Sequence, residues 1–268
     1  MIQLRQLTQF WSSIVPGRSR QLHVFTVLDL DRTILKSTRF FEGYVLPAIE
    51  AYYANSADGT IVVECIDTVR QQERQQRGQA FDFIAAFDEV AQSRALPPLD
   101  GAQLAEQVLR ANQREDSEFI SDIIASGGIE LIRALQAEPE SAWAFYTTGG
   151  QQTQTLKLRV MQAIFDIYET APMRWQIITT EHKARDIARN WYDKTTGLFR
   201  VPEALAGEPA QTQRIRVIDD KTANVALEEG IEGGSMIEAV LVHRAESADE
   251  TGVALHEVAQ KIRQTYDI

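Results

Sequence analysis

Five short apolar runs stand out along the chain, at residues 22–28, 142–147, 175–179, 214–218 and 236–242. Each has the length of a buried strand, and the last four are separated by segments in which apolar residues recur at helical spacing. Strands that alternate with helices predict right-handed crossovers and a mainly parallel sheet with helices on both faces. The pattern therefore predicts an α/β fold, doubly wound, with five strands or more.

The segment between the first and second predicted strands is far too long for a single crossover. Its apolar residues follow a helical pattern throughout, with predicted helices at 41–54, at 60–93 with a break near Gly78, and at 101–112. A further predicted helix, 117–136, leads back to the second strand. The sequence therefore predicts an all-helical insertion that leaves the sheet directly after the first strand.

These patterns divide the chain into two predicted domains. Residues 1–35 and 126–268 are expected to form the α/β core, and residues 36–125 the inserted helical domain. A lobe attached beside a site can open for a substrate and close to exclude water, which is the function of a cap. The alternative is a helical decoration that only stabilises the fold.

The composition argues against several classes of function. The chain of 268 residues is 44% hydrophobic and 24% charged, and its 38 acidic residues outnumber 27 basic ones, for a formal charge of −11. This charge argues against general nucleic-acid binding. No apolar run approaches the ~18 residues of a membrane span, and the N-terminus lacks the pattern of a signal peptide. The single cysteine, Cys65, permits no internal disulfide and suits a reducing compartment, so we expect a cytoplasmic protein.

Two carboxylates directly follow the first predicted strand. Asp29 and Asp31 are two residues apart, with Thr33 two further on, so an extended chain would project them to the same side. Like charges so close would raise each other's pKa unless a cation lay between them. In an open α/β sheet, this strand end is where ligands bind. The pair therefore predicts a hard metal ion or an acid and base in catalysis.

Polar residues also follow the second and third predicted strands. The sequence Thr147-Thr148-Gly149-Gly150 offers hydroxyl donors and a backbone that can approach an oxyanion closely, although many strands end in such residues simply because turns need them. Lys183 is predicted in the first turn of a helix, where a cation opposes the helix dipole unless anions are nearby. A solvated side chain is the alternative for Lys183, and Lys157 and Lys221 are rivals for neutralising a phosphate.

The fourth predicted strand ends in a second acidic pair, Asp219 and Asp220. Such residues also serve as helix caps or turn residues. The predicted topology, however, brings both acidic pairs to one edge of the sheet, where carboxylate oxygens could hold Mg²⁺.

Together these residues resemble the four sequence motifs of the haloacid dehalogenase-like (HAD) superfamily, in the right order. That resemblance implies a Rossmann-like core and identifies the helical insertion with a C1 cap. The first and fourth motifs are the specific ones, and the second and third gain weight from their positions. The matching residues are Val24 to Thr33, Phe145 to Thr147 with Gly149, Lys183, and Val217 to Asp220 with Asn224.

The resemblance also implies a chemistry. Asp29 would attack phosphorus and form an aspartyl-phosphate that water then hydrolyses, and Asp31 would protonate the leaving group and later deprotonate the water. Thr147, with Thr148 beside it, and Lys183 would hold the phosphoryl oxygens. The Mg²⁺ ligands would be Asp29, the backbone carbonyl of Asp31, Asp219 and Asp220, the last directly or through water.

Within that superfamily, Asp31 speaks against dehalogenases and phosphonate hydrolases, which lack the second aspartate. The P-type ATPase sequence DKTGT is absent. A receiver domain has its adjacent acids first and about half this length, so it fits less well. A silent binding or scaffold protein of the same fold is the remaining alternative. The leading expectation is hydrolysis of a phosphomonoester.

The substrate itself is not encoded in a readable pattern. A closing cap favours a small phosphorylated molecule over a protein substrate, and neither nucleic acid nor membrane is an expected partner. Three arginines of the insertion, Arg70, Arg74 and Arg77, share a helix face and could bind an anionic substrate tail, although a solvated face is the simpler interpretation. The oligomeric state is not predicted.

Overall fold

A computed structural model describes residues 19–54, 59–76, 80–112, 116–168, 173–246 and 252–268. The fold is α/β, with one mainly parallel sheet, and all five predicted strands are confirmed. The seven strands in the described residues are β1 (Arg20–Leu28), β2 (Ser141–Thr148), β3 (Trp175–Ile178), β4 (Tyr192–Asp193), β5 (Leu198–Val201), β6 (Ala210–Asp219) and β7 (Ile237–Leu241).

Strands β3, β2, β1 and β6 lie side by side in that order and are parallel. The register pairs Leu28 at the end of β1 with Phe145 of β2 and Ile218 of β6. Two strands pair with β6 on the side away from β1. Strand β5 pairs antiparallel with the first residues of β6, and β7 pairs parallel with its last residues. The carboxyl ends of β1, β2, β3 and β6 therefore meet at one edge of the sheet.

The hairpin of β4 and β5 is absent from the sequence prediction. Strand β4 has two residues, too few to show an alternating pattern, and Gly197 turns the chain with a φ of 70°. Strand β6 is also longer than the predicted 214–218. Its first half is rich in polar residues, but Thr212 is fully buried there because β1 and β5 flank it.

Between β1 and β2 the described residues form helices and no strand, apart from isolated β-bridges at Leu35. A short helix and a π-helical turn open the insertion, where the sequence predicts one regular helix over 41–54. The predicted helix 60–93 is two helices, and its break near Gly78 lies outside the described residues. The elements of this region are α1 (Ser37–Phe40), the π-helix (Phe41–Val45), α2 (Leu46–Tyr53), α3 (Gly59–Gln75), α4 (Phe83–Ser93), α5 (Gly101–Ala111), α6 (Ser117–Ile123) and α7 (Gly128–Ala137).

The prediction of one return helix over 117–136 is wrong, because α6 and α7 are separate. Ile124 is extended and forms a β-bridge with Leu35, and the amide of Ala125 donates to the Ile34 carbonyl at 2.8 Å. Gly127 then turns the chain with a φ of 80°. Pairing with the segment that leaves the sheet thus outweighs continuation of the helix.

The remaining helices cover the sheet, and two apolar layers of buried side chains lie against it. Phe25 and Val27 of β1 pack in one of these layers, and the neighbouring Leu28 packs in the other, because successive side chains of a strand point to opposite faces of the sheet. No helix among the described residues is long and apolar enough to span a bilayer. The later helices are α8 (Gln151–Ile167), α9 (Lys183–Trp191), α10 (Glu203–Ala206), α11 (Thr222–Val225), a 3₁₀ turn (Gly234–Met236) and α12 (Leu255–Tyr266).

Candidate active site

The predicted site residues come together at the carboxyl edge of the sheet. Asp29 follows β1 directly, and its amide donates to the Ile218 carbonyl of β6 at 2.9 Å. Asp219 is the last residue of β6, Thr147 and Thr148 end β2, and Lys183 opens α9 after β3. One crevice thus collects side chains from four parallel strands.

The Lys183 ammonium lies between two carboxylates at the centre of this site. It donates to Asp29 Oδ1 and, at 2.7 Å, to Asp219 Oδ2. The side chain of Lys183 is 1% exposed, and that of Asp219 is fully buried. A buried lysine with two carboxylate partners is no solvated surface residue, so of the three candidate lysines Lys183 is the one that contacts Asp29.

Burial and mutual charge shift the pKa values of this group. Burial and then the charge of Asp219 raise the pKa of Asp29 to about 7, against the opposing effect of Lys183. Burial lowers the pKa of Lys183, but the charges of Asp29 and Asp219 more than offset it, so this pKa lies above its usual value. A further cation next to Asp29 would therefore favour its ionised form.

Three carboxylates of the site fit a divalent cation. Asp29, Asp219 and Asp220 each offer an oxygen, and these oxygens lie within 4.8 Å of one another. The Oδ1 atom of Asp220 is buried and accepts no hydrogen bond from the described residues, while Oδ2 accepts from Arg244 Nε at 2.8 Å. A buried carboxylate oxygen without a donor is costly, and a hard cation would satisfy it.

Asn224 and Thr33 form hydrogen bonds with the acidic residues of the site. Asn224 Nδ2 donates to Asp219 Oδ2 at 2.9 Å. The Thr33 hydroxyl accepts from the amide of Asp220 at 3.1 Å and donates to Asp29 Oδ2 at 3.4 Å, so it links the two acidic segments. Both residues belong to the motifs singled out in the sequence, and both are buried.

Asp31 lies in a different setting from Asp29. Its carboxylate accepts from Lys157 Nζ at 2.7 Å and from the side chains of Ser37 and Gln154, and it is 26% exposed. Burial raises the pKa of Asp31, but the Lys157 charge and these hydrogen bonds lower it more. Because β1 ends at Leu28, Asp29 and Asp31 do not lie in an extended strand. Asp29 contacts Lys183, whereas Asp31 contacts Lys157.

Helix α8 supplies two of the residues that bind Asp31, of which Lys157 is a candidate in the sequence and Gln154 is not. Gln154 and Lys157 are three residues apart and share a helix face, which is the signal that could have paired them. Gly149 leaves room for this contact, because a Cβ there would lie 2.3 Å from Gln154 Nε2. Ser37 carried no signal, since only the fold brings the insertion next to Asp31.

The other predicted phosphate ligands occupy the strand end as expected. The hydroxyl of Thr147 is buried and has no hydrogen-bond partner among the described residues, and Thr147 itself is not one of the residues that line the cleft. Thr148 lines the cleft next to it. Lys221 also lines the cleft, but its nearest carboxylate partner is Glu181 at 3.8 Å and it is 40% exposed.

A cleft of about 640 Å³ opens above these residues, between the sheet edge and the helical insertion. This volume suits a small molecule. Asp29 and Asp31 form part of its floor, and helices of the insertion form the opposite wall. The lining residues are Asp29, Asp31, Arg32, Ser37, Thr38, Phe41, Glu42, Glu73, Gln76, Phe81, Phe83, Thr148, Gly149, Thr153, Gln154, Lys157 and Lys221.

Asp82 joins the insertion to the core next to the cleft, between the lining residues Phe81 and Phe83. Its carboxylate accepts from the backbone amides of Gln152 at 2.7 Å and Thr153 at 3.0 Å, and from the Thr153 hydroxyl at 2.8 Å. It also caps its own helix α4 through the amide of Ala85. Gly150 permits the approach, because a Cβ there would lie 2.3 Å from Asp82. One side chain thus caps a helix on each side of the cleft.

Asp82→Ala is expected to lower the free energy of unfolding by about 1–2 kcal/mol and to raise KM more than it lowers kcat. Both effects follow because the variant removes two helix caps and a contact that joins the cleft walls. The matched control is Asp100→Ala, which removes only the cap of α5 inside the insertion. Urea unfolding and substrate saturation curves measure the two effects. An equal change of KM in both variants would refute a role for Asp82 in the cleft.

Comparison of the sequence with protein-family profiles and with curated proteins finds no match. Solved structures give similarities of low identity. A protein of Burkholderia xenovorans described as a haloacid dehalogenase-like hydrolase is 16% identical, with a TM-score of 0.44 over 91% of this chain and 99% of that one.

Two further structures have lower TM-scores. The Bacillus subtilis protein YfnB, described as a HAD-hydrolase bound to magnesium, is 15% identical, with a TM-score of 0.37 over 92% of this chain and 100% of that one. The L-2-haloacid dehalogenase of Xanthobacter autotrophicus is 13% identical, with a TM-score of 0.31 over 90% and 98%. These identities and TM-scores are too low to indicate a function for this chain.

Proposed function

We propose that this protein is a HAD-superfamily phosphatase, a Mg²⁺-dependent phosphomonoester hydrolase that acts through an aspartyl-phosphate. The observation that carries the proposal is the buried group formed by Asp29, Lys183, Asp219 and Asp220 at the carboxyl ends of β1 and β6 and the start of α9. It combines a nucleophile, a fixed cation and an oxygen-ligand set in one buried cluster, and Asp29 of this cluster lines the cleft.

In the first step, an Asp29 oxygen attacks phosphorus while the bond from phosphorus to the alcohol oxygen breaks. Lys183 holds Asp29 in place, and the Thr147 hydroxyl, which has no partner among the described residues, would donate to a phosphoryl oxygen. The leaving oxygen takes its proton from Asp31. Lys157 favours the ionised form of Asp31, so the arriving phosphate, which competes for the Lys157 ammonium, is expected to raise the pKa of Asp31.

In the second step, a water molecule attacks the phosphorus of the aspartyl-phosphate and Asp31 accepts its proton. The lowered pKa of Asp31 suits this half of the reaction. The phosphorus–oxygen bond to Asp29 breaks, which releases inorganic phosphate and restores the carboxylate. Gln154 and Ser37 keep Asp31 oriented through both steps.

Asp29, Asp219 and Asp220 would hold Mg²⁺, with the Asp31 backbone carbonyl as the fourth protein ligand that the motif implies. The bound ion would neutralise the repulsion between the Asp29 carboxylate and the phosphate dianion. The unpartnered Asp220 oxygen supports this assignment. The Asp31 carboxylate is held instead by Lys157, Ser37 and Gln154.

We propose that residues 36–125 act as a cap on this site. Leu35, directly before the insertion, forms a β-bridge with Ile124 near its end, so the chain enters and leaves the insertion at one place. Helices α4 and α5 of the insertion also pack against α8 of the core. The helices of the insertion form one wall of the cleft directly above Asp29 and Asp31. A small phosphorylated substrate enclosed there would be shielded from bulk water.

The test is phosphate release from an aryl phosphate and a metabolite panel, with Mg²⁺, with EDTA, and after Mg²⁺ is restored. We expect release only when Mg²⁺ is present. Folded protein that binds Mg²⁺ but releases nothing from any compound would favour the alternative of a silent binding protein.

A further inference from the structure

Among the described residues, the cations that line the cleft all come from its core side. They are Arg32, Lys157 and Lys221. No aromatic side chain lines this wall within the described residues. The core wall is therefore suited to an anion and offers little apolar surface.

The opposite wall has the reverse composition. Its described part carries three phenyl rings, those of Phe41, Phe81 and Phe83, and no lysine or arginine. Phe41 and Phe83 contact each other edge to face, with ring centroids 4.6 Å apart. Phe41 and Phe81 remain half-exposed. This wall therefore offers an apolar surface to the part of a ligand that points away from the phosphate.

Two acidic residues accompany the phenyl rings. Glu42 forms an ion pair with Arg70, which offsets its charge. Glu73 of α3 is exposed and has no ion-pair partner in the part of the chain that the structure describes. Beside the rings, the insertion wall thus presents one uncompensated carboxylate.

We infer that the substrate is a phosphomonoester whose alcohol portion combines an apolar or aromatic face with a positively charged amine. This inference rests on the proposed function, which puts the phosphate on the core side. The phenyl rings would contact the apolar face and Glu73 the amine. A second anionic group at that end would face Glu73 and Glu42 and is therefore disfavoured.

Four esters test the inference by binding to the Asp29→Asn variant, which is expected not to consume them. They are the 4-(aminomethyl), 4-(hydroxymethyl) and 4-carboxy derivatives of phenyl phosphate, and 2-aminoethyl phosphate, which lacks the ring. Calorimetry with Mg²⁺ should show the tightest binding for the aminomethyl ester and weaker binding for the carboxylate and for the ester without a ring.

Added to that background, Glu73→Gln should reduce the preference for the amine over the carboxylate by about two- to fivefold, the range of an exposed ion pair. Glu89→Gln, an exposed change on α4 outside the cleft, should leave the preference unchanged. Phe81→Ser should reduce the preference for the aryl over the aminoethyl ester.

Identical preferences in the Glu73→Gln and parent proteins would overturn the inference, as would tightest binding of the carboxylate or no binding of any ester. Phosphate release by the wild type from the same esters tests the proposed function separately. Release without the expected preference would refute the inference alone. The preference without release would support the inference and refute the hydrolase.

Discussion

Asp29→Asn is expected to abolish Mg²⁺-dependent phosphate release, with a loss of at least about a thousandfold in kcat. An amide cannot act as the nucleophile that forms the acyl-phosphate. The substitution should leave the protein folded, because Lys183 keeps Asp219 as a partner at 2.7 Å and the buried group loses one of its negative charges. The loss would therefore be chemical rather than structural.

The measurement is phosphate release at saturating substrate, with thermal unfolding of both proteins as the test of folding. Asp67→Asn is the matched control, because Asp67 is an exposed aspartate on α3 outside the cleft. Trapping of phosphate on the protein in acid-quenched samples should label the wild type but not Asp29→Asn. Undiminished release by a folded Asp29→Asn would exclude the proposed mechanism.

Lys183→Met is expected to have the largest effect on stability, a loss of about 3–5 kcal/mol in the free energy of unfolding. The variant leaves the carboxylates of Asp29 and Asp219 buried next to each other without their shared cation. Without Lys183, which lowers the pKa of Asp29, that pKa would rise further in the folded state. Folding would then bind protons, and the loss should shrink as the pH is lowered. Added Mg²⁺ should restore part of the stability through the same carboxylates.

Urea unfolding at several pH values, with EDTA and with Mg²⁺, measures this effect. Lys221→Met is the control, because that lysine is 40% exposed and its nearest carboxylate partner, Glu181, is 3.8 Å away, so its loss should cost little. The double variant Lys183→Met/Asp29→Asn should be more stable than Lys183→Met, since one of the two unpaired carboxylates is gone. A loss no larger for Lys183→Met than for Lys221→Met would show that the buried lysine does not hold the site together.

The acid-rich strand ends can be predicted from the sequence because their signals are local. Two carboxylates after an apolar run predict a strand end with chemistry, and the topology rules then bring Asp29 and Asp219 to the same edge. Thr147 and Lys183 cannot be assigned to the site from their local sequence alone, because a threonine before glycines or a single lysine is common. Their order relative to the two acidic pairs makes the prediction possible, and both lie at the crevice.

The residues that contact Asp31 cannot be predicted from the sequence. In the sequence, Lys157 is a rival candidate without an assigned partner, Gln154 carries no strong signal, and Ser37 lies in a segment predicted only as part of an insertion. Their contacts with Asp31 depend on how α8 and the first turn of the insertion pack, which no spacing in the sequence specifies. The same holds for Asp82, whose carboxylate reaches backbone amides of α8 that are 70 and 71 residues away along the chain.

The apolar periodicity and the order of the acidic pairs are sufficient for the parallel α/β core, the helical insertion and the central carboxylates, because strand alternation and parallel crossovers convert local spacing into position. Only the tertiary structure decides the break between α6 and α7, the β4–β5 hairpin, the hydrogen-bond partners of Asp31 and the different compositions of the two cleft walls. Each of these depends on contacts between segments distant in sequence, and such contacts outweigh local propensity when they satisfy buried polar groups.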